Sequence, residues 1–173
     1  MRNRILLATV LVALSLSFFG CATIFSSQHR TEDYTPVFAS ATAGDVATVQ
    51  TEVQKDPSLI TATEWDHATL LHAAVQENHQ ALADLLLKEG GDVNAVTDDG
   101  LTPLHMAAQN GNIGIARILL QNKANINALD SMRWTPLDRA EKWDHPQTAA
   151  FLRRCGAKNG LDIGTMLPPA KSR

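Results

Sequence analysis

Apolar and polar residues recur along the chain with a period of thirty-three positions. Residues 102–108 (TPLHMAA) lie thirty-three positions after residues 69–75 (TLLHAAV) and thirty-three before residues 135–141 (TPLDRAE). The apolar stretches that follow align in the same way, with residues 85–87 (LLL) on residues 118–120 (ILL). A fixed period of this length indicates a chain built from stacked copies of one supersecondary unit.

Each unit contains the residues expected for two helices and a turn. Thr102 can accept a hydrogen bond from an amide at a helix start, and Pro103 suits the next position because an N–H there would have no intrahelical partner. Gly111 suits the end of that helix, since glycine adopts a left-handed conformation at little cost. A second helix follows with apolar residues such as Ile115 at helical spacing, and a polar stretch such as residues 95–100 leads into the next unit as a turn or short hairpin.

The repeat predicts an all-α fold, because one helical hairpin cannot bury its apolar face alone and must stack on copies of itself. The predicted domain extends over residues 34–160. Its four units have bounds of about 34–66, 67–99, 100–132 and 133–160. A tail over residues 161–173 follows, in which Gly164, Pro168 and Pro169 are expected to break regular structure.

The pattern resembles the ankyrin repeat family. The family signature T-P-L-H-x-A-A, followed by L-L and G-A-D-V-N, is nearly complete between Gly100 and Ala128. Leu70 stands where the signature has proline and Asp138 where it has histidine, and an aspartate there suits the positive end of a helix. The resemblance implies an ankyrin-repeat solenoid of about four helix-turn-helix units joined by short β-hairpin loops. It also implies binding of partner proteins through the hairpin tips and the exposed side of the first helix in each unit.

The N-terminal residues have the features of an export signal. Arg2 and Arg4 precede an uncharged run over residues 5–19, which predicts a signal peptide over residues 1–20. The glycine directly before Cys21 resembles a bacterial lipoprotein signal. This resemblance implies that Cys21 carries lipid and that the protein is attached to a membrane.

Three interpretations of the N-terminal residues stay open. Phe18 and Phe19 depart from the lipoprotein pattern, which prefers leucine and then a small residue. Residues 5–25 are just long enough, at about 20 residues, to span a bilayer, so an uncleaved anchor and simple secretion are the alternatives to lipidation. By the same resemblance, Ala22 in place of aspartate implies the periplasmic face of the outer membrane, with residues 21–33 as lipidated N-terminus and linker. Attachment to the inner membrane and a soluble periplasmic protein are the alternative locations.

Composition excludes some classes of protein. An apolar content of 45% is enough for a buried core, which excludes disorder throughout. Fifteen basic and eighteen acidic residues give a net charge of −3, and without a basic stripe no nucleic-acid binding is expected. The two cysteines, Cys21 and Cys155, form neither a disulfide framework nor zinc-ligand spacing, and Cys155 is expected at a buried helix end.

Four histidines raise the question of a metal site. His72 and His105 occupy the same position in successive units, and His67 and His79 are close to them in sequence. A structural role is the better interpretation for the first two, because a histidine three residues after a capping threonine can bond back to it and to a neighbouring loop. The other two are interpreted as solvated surface. No motif for nucleophilic, metal-dependent or nucleotide-dependent catalysis occurs in the sequence, which predicts no enzyme activity, no cofactor and no metal.

The candidate partner-binding residues lie at the hairpin tips and along the exposed side of the first helices. They include all three tryptophans, and tryptophan is enriched among binding hot spots, although it can also serve to cover an adjacent loop. The candidates are Trp65, Asp66, Gln76, Glu77, Asp98, Asp99, Leu101, Gln109, Asn110, Met132, Trp134, Lys142 and Trp143. The three tryptophans are expected to share one exposed concave surface with Asp66, Glu77, Asp98 and Asp99 between them.

The predicted function is a non-enzymatic module that binds another protein on the periplasmic side of a bacterial envelope. The protein is expected to be a monomer with a lipid anchor. Aromatic anchors among carboxylates suit a partner that offers an apolar patch with lysine or arginine. Two alternatives stay open: an immunity or neutralising protein against a periplasmic toxin or hydrolase, and an enzyme or stress-protection factor whose site the sequence does not reveal.

Overall fold

The computed structural model of the protein describes residues 35–64 and 66–166. The expected signal peptide, the lipidation at Cys21 and the linker lie outside these residues. Trp65 and the last part of the expected tail, residues 167–173, also lie outside them.

The described residues form nine α-helices and one short 3₁₀ helix over Pro57–Thr61. The α-helices are α1 (Thr35–Thr42), α2 (Val46–Lys55), α3 (Leu70–Gln76), α4 (Gln80–Lys88), α5 (Pro103–Gln109), α6 (Ile113–Gln121), α7 (Pro136–Lys142), α8 (Pro146–Arg154) and α9 (Gly160–Met166). The first eight form four pairs, one in each predicted unit, and the architecture confirms the all-α repeat fold. The extended pairing in the described residues is limited to one isolated bridge, between Thr63 and Thr69, so the connecting loops are tight turns rather than hairpins with regular strands.

The core repeats with the same period as the sequence. In the first helices, Leu71, Leu104 and Leu137 are buried at equivalent positions, and Leu119 and Leu152 are buried at equivalent positions in the second helices. First helices pack on first helices (α1 on α3, α3 on α5, α5 on α7) and second helices on second helices (α4 on α6, α6 on α8). The apolar side chains of each pair are therefore buried by the neighbouring pairs as well as by their own unit.

Small residues set how closely the first helices approach. Ala74, Ala107 and Ala140 are thirty-three residues apart and fully buried. Gly111 ends the first helix of its unit at a φ of 72°, and a Cβ atom there would lie 2.7 Å from the Nδ1 atom of His145 in the next unit. The left-handed backbone favours glycine at this turn, and the close approach of the His145 ring leaves little room for a larger residue here; Asn78 and Asp144 adopt the same backbone at the equivalent turns.

Two buried histidines join successive units. The Nδ1 atom of His105 accepts from the Thr102 amide at 3.1 Å, so its Nε2 atom carries the proton and donates to the Trp134 carbonyl at 3.0 Å. His72 does the same with the Thr69 amide, at 3.1 Å, and the Leu101 carbonyl, at 3.1 Å. The structural interpretation of this pair is confirmed. Each imidazole fixes a helix start and ties it to the tip of the next unit.

The other two histidines differ from each other. His67 is exposed, as expected, and its Nδ1 atom lies 2.6 Å from a carboxylate oxygen of Asp98. His79 was expected to be solvated surface, but its Nε2 atom lies 2.9 Å from the carbonyl of Thr42, at the end of α1. That expectation is wrong because His79, the residue directly before α4, forms a contact with the preceding unit.

Asp138 takes the place of the bridging histidine in the last unit. Its Oδ2 atom accepts from the Thr135 amide at 2.8 Å and from the amide of Gly160, the first residue of α9, at 2.8 Å. A carboxylate can only accept, whereas the Nε2 atom of the histidines donates to a carbonyl. Aspartate therefore suits this position in the last unit, because its partner there is the amide of a helix start, whereas the partner of each histidine is a tip carbonyl.

The beginning of the expected tail is helical. The sequence predicted that Gly164 breaks regular structure, but α9 continues through it to Met166. The Gly160 amide is held by Asp138, and a Cβ atom at this residue would lie 2.2 Å from the Arg133 carbonyl. The helix start is therefore fixed against the last tip, a constraint that the local sequence does not reveal.

The bridging histidines predict a pH dependence of stability. Burial lowers the pKa of both His72 and His105 below the ordinary value of 6.5, against the raising effect of the hydrogen bonds to the Leu101 and Trp134 carbonyls. Below about pH 6.5 the unfolded chain binds protons that the folded chain excludes, so the free energy of unfolding should fall with decreasing pH from there. Urea unfolding between pH 7.5 and pH 5 measures the slope. The double variant His72→Gln/His105→Gln should show a smaller slope, and an equal slope would contradict the assignment.

Candidate protein-binding surface

The tips of the loops between units have one conformation that repeats three times. The residues with left-handed backbone are His67, Gly100 and Arg133, with φ of 60°, 73° and 63°. Neighbouring tips are joined by backbone hydrogen bonds: the Asp98 amide donates to the Asp66 carbonyl at 2.9 Å, and the Ser131 amide donates to the Asp99 carbonyl at 3.0 Å. The tips therefore form a continuous row in which backbone groups are satisfied and side chains are left for other contacts.

The described candidate residues occupy a few equivalent positions in this row and in the helices beside it. Asp66, Asp99 and Met132 are equivalent tip positions, thirty-three residues apart. The helix positions are equally regular. Gln76, Gln109 and Lys142 occupy one of them, and Glu77, Asn110 and Trp143 occupy the next. We call these tip and helix residues, together with Asp98 and Trp134, the tip–helix surface.

One contact between units and one within the fourth unit join some of these positions. The Asn110 side chain donates to the Gln76 carbonyl at 3.2 Å, and the ring centroids of Trp134 and Trp143 are 6.0 Å apart in an edge-to-face arrangement. The structure therefore brings these four candidates into contact as two pairs. Leu101 is half-buried and its carbonyl accepts from His72, which gives it a role in the fold. Trp65 lies outside the described residues.

The part of the tip–helix surface formed by the second unit and by the tip that precedes it is acidic. Glu77, Asp98 and Asp99 are exposed, and Asp66 is half-buried with its carboxylate accepting from the Ala68 amide at 3.0 Å. Burial, followed by the nearby carboxylate of Asp66, raises the pKa of Glu64 above its ordinary value. This end of the surface suits a partner with positive charge.

The fourth unit presents aromatic side chains stacked around an arginine. The guanidinium of Arg139 lies 5.6 Å from the ring centroid of Trp134 and 5.1 Å from that of Trp143. Its Nη1 atom donates to the Gln109 side chain at 2.7 Å. Trp134 is half-buried in this cluster, whereas Trp143 is 40% exposed. Trp143 is therefore the more available of the two for a partner, and Trp134 holds the tip in place.

A buried ion pair supports the cluster. The Nε and Nη2 atoms of Arg139 donate to Oδ2 of Asp130 at 2.9 and 2.6 Å, and the side chain of Asp130 is fully buried. The Oδ1 atom of Asp130 accepts from the amides of Met132 and Trp134, each at 2.8 Å. One carboxylate thus shapes the last tip and also neutralises the arginine beneath the two tryptophans.

Asp130 and Arg139 were not among the sequence-derived candidates. The overlay of the units contains a signal for them. Asp130 and Arg139 have opposite charges, and they stand at the positions that Thr97 and Met106 occupy one repeat earlier. The expectation for Cys155 is wrong: this residue is exposed, because it caps the end of α8 where the stack of helix pairs ends.

The described residues contain no group of three or more histidine, cysteine or acidic side chains placed to hold a metal ion. None of their helices combines the length and the apolar character needed to cross a bilayer.

The comparisons with known proteins agree with the repeat. A family model described as ankyrin repeats, in three copies, matches residues 71–163, which is more than half of the chain. The search of curated proteins found no match.

The buried ion pair predicts strong coupling between its two residues. Asp130→Thr should keep the tip, since the equivalent Thr97 accepts from the Leu101 amide at 3.2 Å, but it leaves the guanidinium of Arg139 buried without a counter-charge. We expect this variant, and Arg139→Met, each to lower the free energy of unfolding by about 3 kcal/mol. The double variant reproduces the residues found one repeat earlier, Thr97 and Met106, and should lose much less than the sum. Urea unfolding of the four proteins tests this, and additive losses would refute the coupling.

Proposed function

The chain belongs to the ankyrin repeat family, whose repeats bind other proteins and are generally non-enzymatic, and from this membership we propose a protein-binding lipoprotein of a bacterial envelope. In this proposal the tip–helix surface captures another protein. A lipid on Cys21 holds the chain, as a monomer, at the periplasmic face of the outer membrane.

One observation carries the binding part of the proposal. Met132 is 66% exposed and Trp143 is 40% exposed, although both are large and apolar. They lie on a surface whose backbone hydrogen bonds are already made between units. Large apolar side chains displayed on a rigid surface are typical of protein-binding sites.

The charge of the same surface supports a particular kind of partner. The exposed carboxylates of Glu77, Asp98 and Asp99 lie on the units that precede the aromatic cluster. A partner with lysine or arginine beside an apolar patch complements both features. The charges should mainly accelerate association, while the buried aromatic contacts supply affinity.

The location rests on the N-terminal sequence. The uncharged run over residues 5–19 and the glycine before Cys21 support export followed by lipidation. The linker over residues 22–33 could extend over at most about 40 Å, so the repeats would work close to the membrane surface.

Lipidation predicts that the protein incorporates a fatty acid and that substitution of Cys21 abolishes the incorporation. In bacteria fed a labelled fatty acid, the wild-type protein should carry label and fractionate with the outer membrane. Cys21→Ser should carry none, and Cys155→Ser, at the other cysteine, should behave as the wild type. Label that persists in Cys21→Ser, or an outer-membrane fraction that lacks the wild-type protein, would contradict the anchor.

Partner capture predicts a sidedness that crosslinking can measure. A photoactivatable phenylalanine analogue at Asp99 or Glu77 should give the same discrete crosslinked species in intact envelopes. The analogue at Ala81 or Ala150, which are exposed on the second helices, should not. Adding Trp143→Ala to the Asp99 variant should weaken capture by about 1 kcal/mol or more while leaving the melting temperature nearly unchanged. Equal crosslinking from both sides would refute a dedicated surface.

A further inference from the structure

The stack of units ends in an open groove of about 810 Å³ that shares Met132, Trp134 and Lys142 with the tip–helix surface and extends beyond it to α9. Its lining is formed by the last tip, α7 and the start of α9: Met132, Arg133, Trp134, Asp138, Glu141, Lys142, Gly160 and Leu161. A further unit of the repeat would stack at this end, on the last tip and α7. Here α9 covers only part of that area. We call the remaining space the end groove.

The walls of the end groove are apolar and exposed. Leu161 is 85% exposed and Met132 is 66% exposed, and Trp134 lines the same groove. Methionine has a flexible, polarisable side chain that adapts to varied apolar surfaces. The groove can therefore bury a large apolar side chain that a partner inserts.

The charges of the end groove differ from those of the acidic tips. Arg133 and Lys142 are exposed, and within residues 35–64 and 66–166 neither side chain forms an ion pair or hydrogen bond; the Lys142 ammonium lies 6.0 Å from the ring centroid of Trp134. The carboxylates of the lining already have partners: Glu141 is bonded to Arg153, and Asp138 to amides at the starts of α7 and α9. Arg133 and Lys142 are thus available to form ion pairs with carboxylates of a partner.

Hydrogen bonds and ring contacts hold two parts of the groove lining in place. Trp134 is held by the Arg139 guanidinium beneath it, and its amide is fixed by the buried carboxylate of Asp130 at 2.8 Å. The start of α9 is fixed by the bond from the Gly160 amide to Asp138. Because these parts of the lining are already ordered, binding of a side chain there costs little conformational entropy.

We propose that the end groove binds a segment of a partner protein in which a large apolar side chain lies next to acidic side chains. The apolar side chain would pack between Met132, Trp134 and Leu161, and the carboxylates would pair with Arg133 and Lys142. The chain's own residues 167–173 (LPPAKSR) carry two basic residues and match these cations poorly. This inference rests on the proposed protein-binding function, of which it specifies a second contact.

Two defined peptides test the charge requirement. One short labelled peptide has leucine and tryptophan between glutamate and aspartate, and the other has lysine in place of both acidic residues. We expect the acidic peptide to bind the purified repeat protein about tenfold more tightly, as measured by fluorescence polarisation in low salt. It should also shift the methyl signals of Met132 and Leu161 and the indole signal of Trp134 in NMR spectra. Equal affinities, or shifts confined to other residues, would overturn the proposal.

A charge exchange separates the groove from nonspecific attraction. Arg133→Glu/Lys142→Glu should reverse the preference to the basic peptide. The control Lys123→Glu/Arg154→Glu makes the same change of charge at exposed residues away from the groove, and Lys123 shares the left-handed backbone of Arg133. The control should keep the preference of the wild type, and melting curves establish that both variants fold. A control that reverses as well would overturn the proposal.

Two further measurements identify other occupants. Removal of residues 167–173 should leave the affinity for the acidic peptide unchanged; a gain of about tenfold would mean that the tail fills the groove, against the proposal. Sedimentation should give a monomer, and a dimer abolished by Leu161→Ser would mean that a second copy does so. Failure of the crosslinking at Asp99 and Glu77 with intact peptide binding would refute the proposed surface alone, whereas the reverse result would refute the end groove alone.

Discussion

The stacking of one helix pair on the next is the interaction on which the whole molecule depends. Each pair exposes an apolar face that only its neighbours can cover, and the buried leucines and alanines recur at equivalent positions for that reason. Two kinds of hydrogen bond set the register of the stack. Buried histidines tie helix starts to the following tips, and amide-to-carbonyl bonds tie each tip to the next. Because these bonds use backbone groups, the side chains of the tips are free to vary without loss of the fold.

The last unit shows what happens where the stack must end. Asp138 replaces the bridging histidine and captures the first amide of α9, while Asp130 and Arg139 introduce a buried ion pair at positions occupied by Thr97 and Met106 one unit earlier. A buried ion pair is weak evidence for stability, since uncharged residues fill the same space in the third unit. Its consequence here is geometric: the arginine orders two tryptophans at the edge of the tip–helix surface. The unit that ends the stack is also the unit that presents the aromatic side chains.

Much of the fold could be predicted from the sequence, because the period, the capping threonines and the small helix residues express local and repeated requirements. The roles of His72 and His105 followed from the same logic, since the bond partners lie at fixed distances along the repeat. The sequence could not reveal features that depend on one unit meeting a different neighbour. His79 reaching the carbonyl of Thr42, and the helix that begins at Gly160, belong to that class. The alignment of the candidate residues could be predicted from the period, whereas the burial of Arg139 beneath Trp134 could not.

The tip–helix surface and the end groove together define a direction along the stack. Carboxylates are exposed on the second unit, apolar and aromatic side chains at the end of the third unit and on the fourth, and two cations at the end groove. A partner that carries positive charge, an apolar anchor and negative charge in that order complements the row in one orientation only, because the reversed partner would place like charges together at both ends. Like-charge contacts oppose binding more effectively than the matching contacts favour it, so this asymmetry is a source of specificity. A repeat with identical tips could not discriminate in this way. Under the proposed function, the departures from the repeat are therefore the residues that we expect to determine which partner binds.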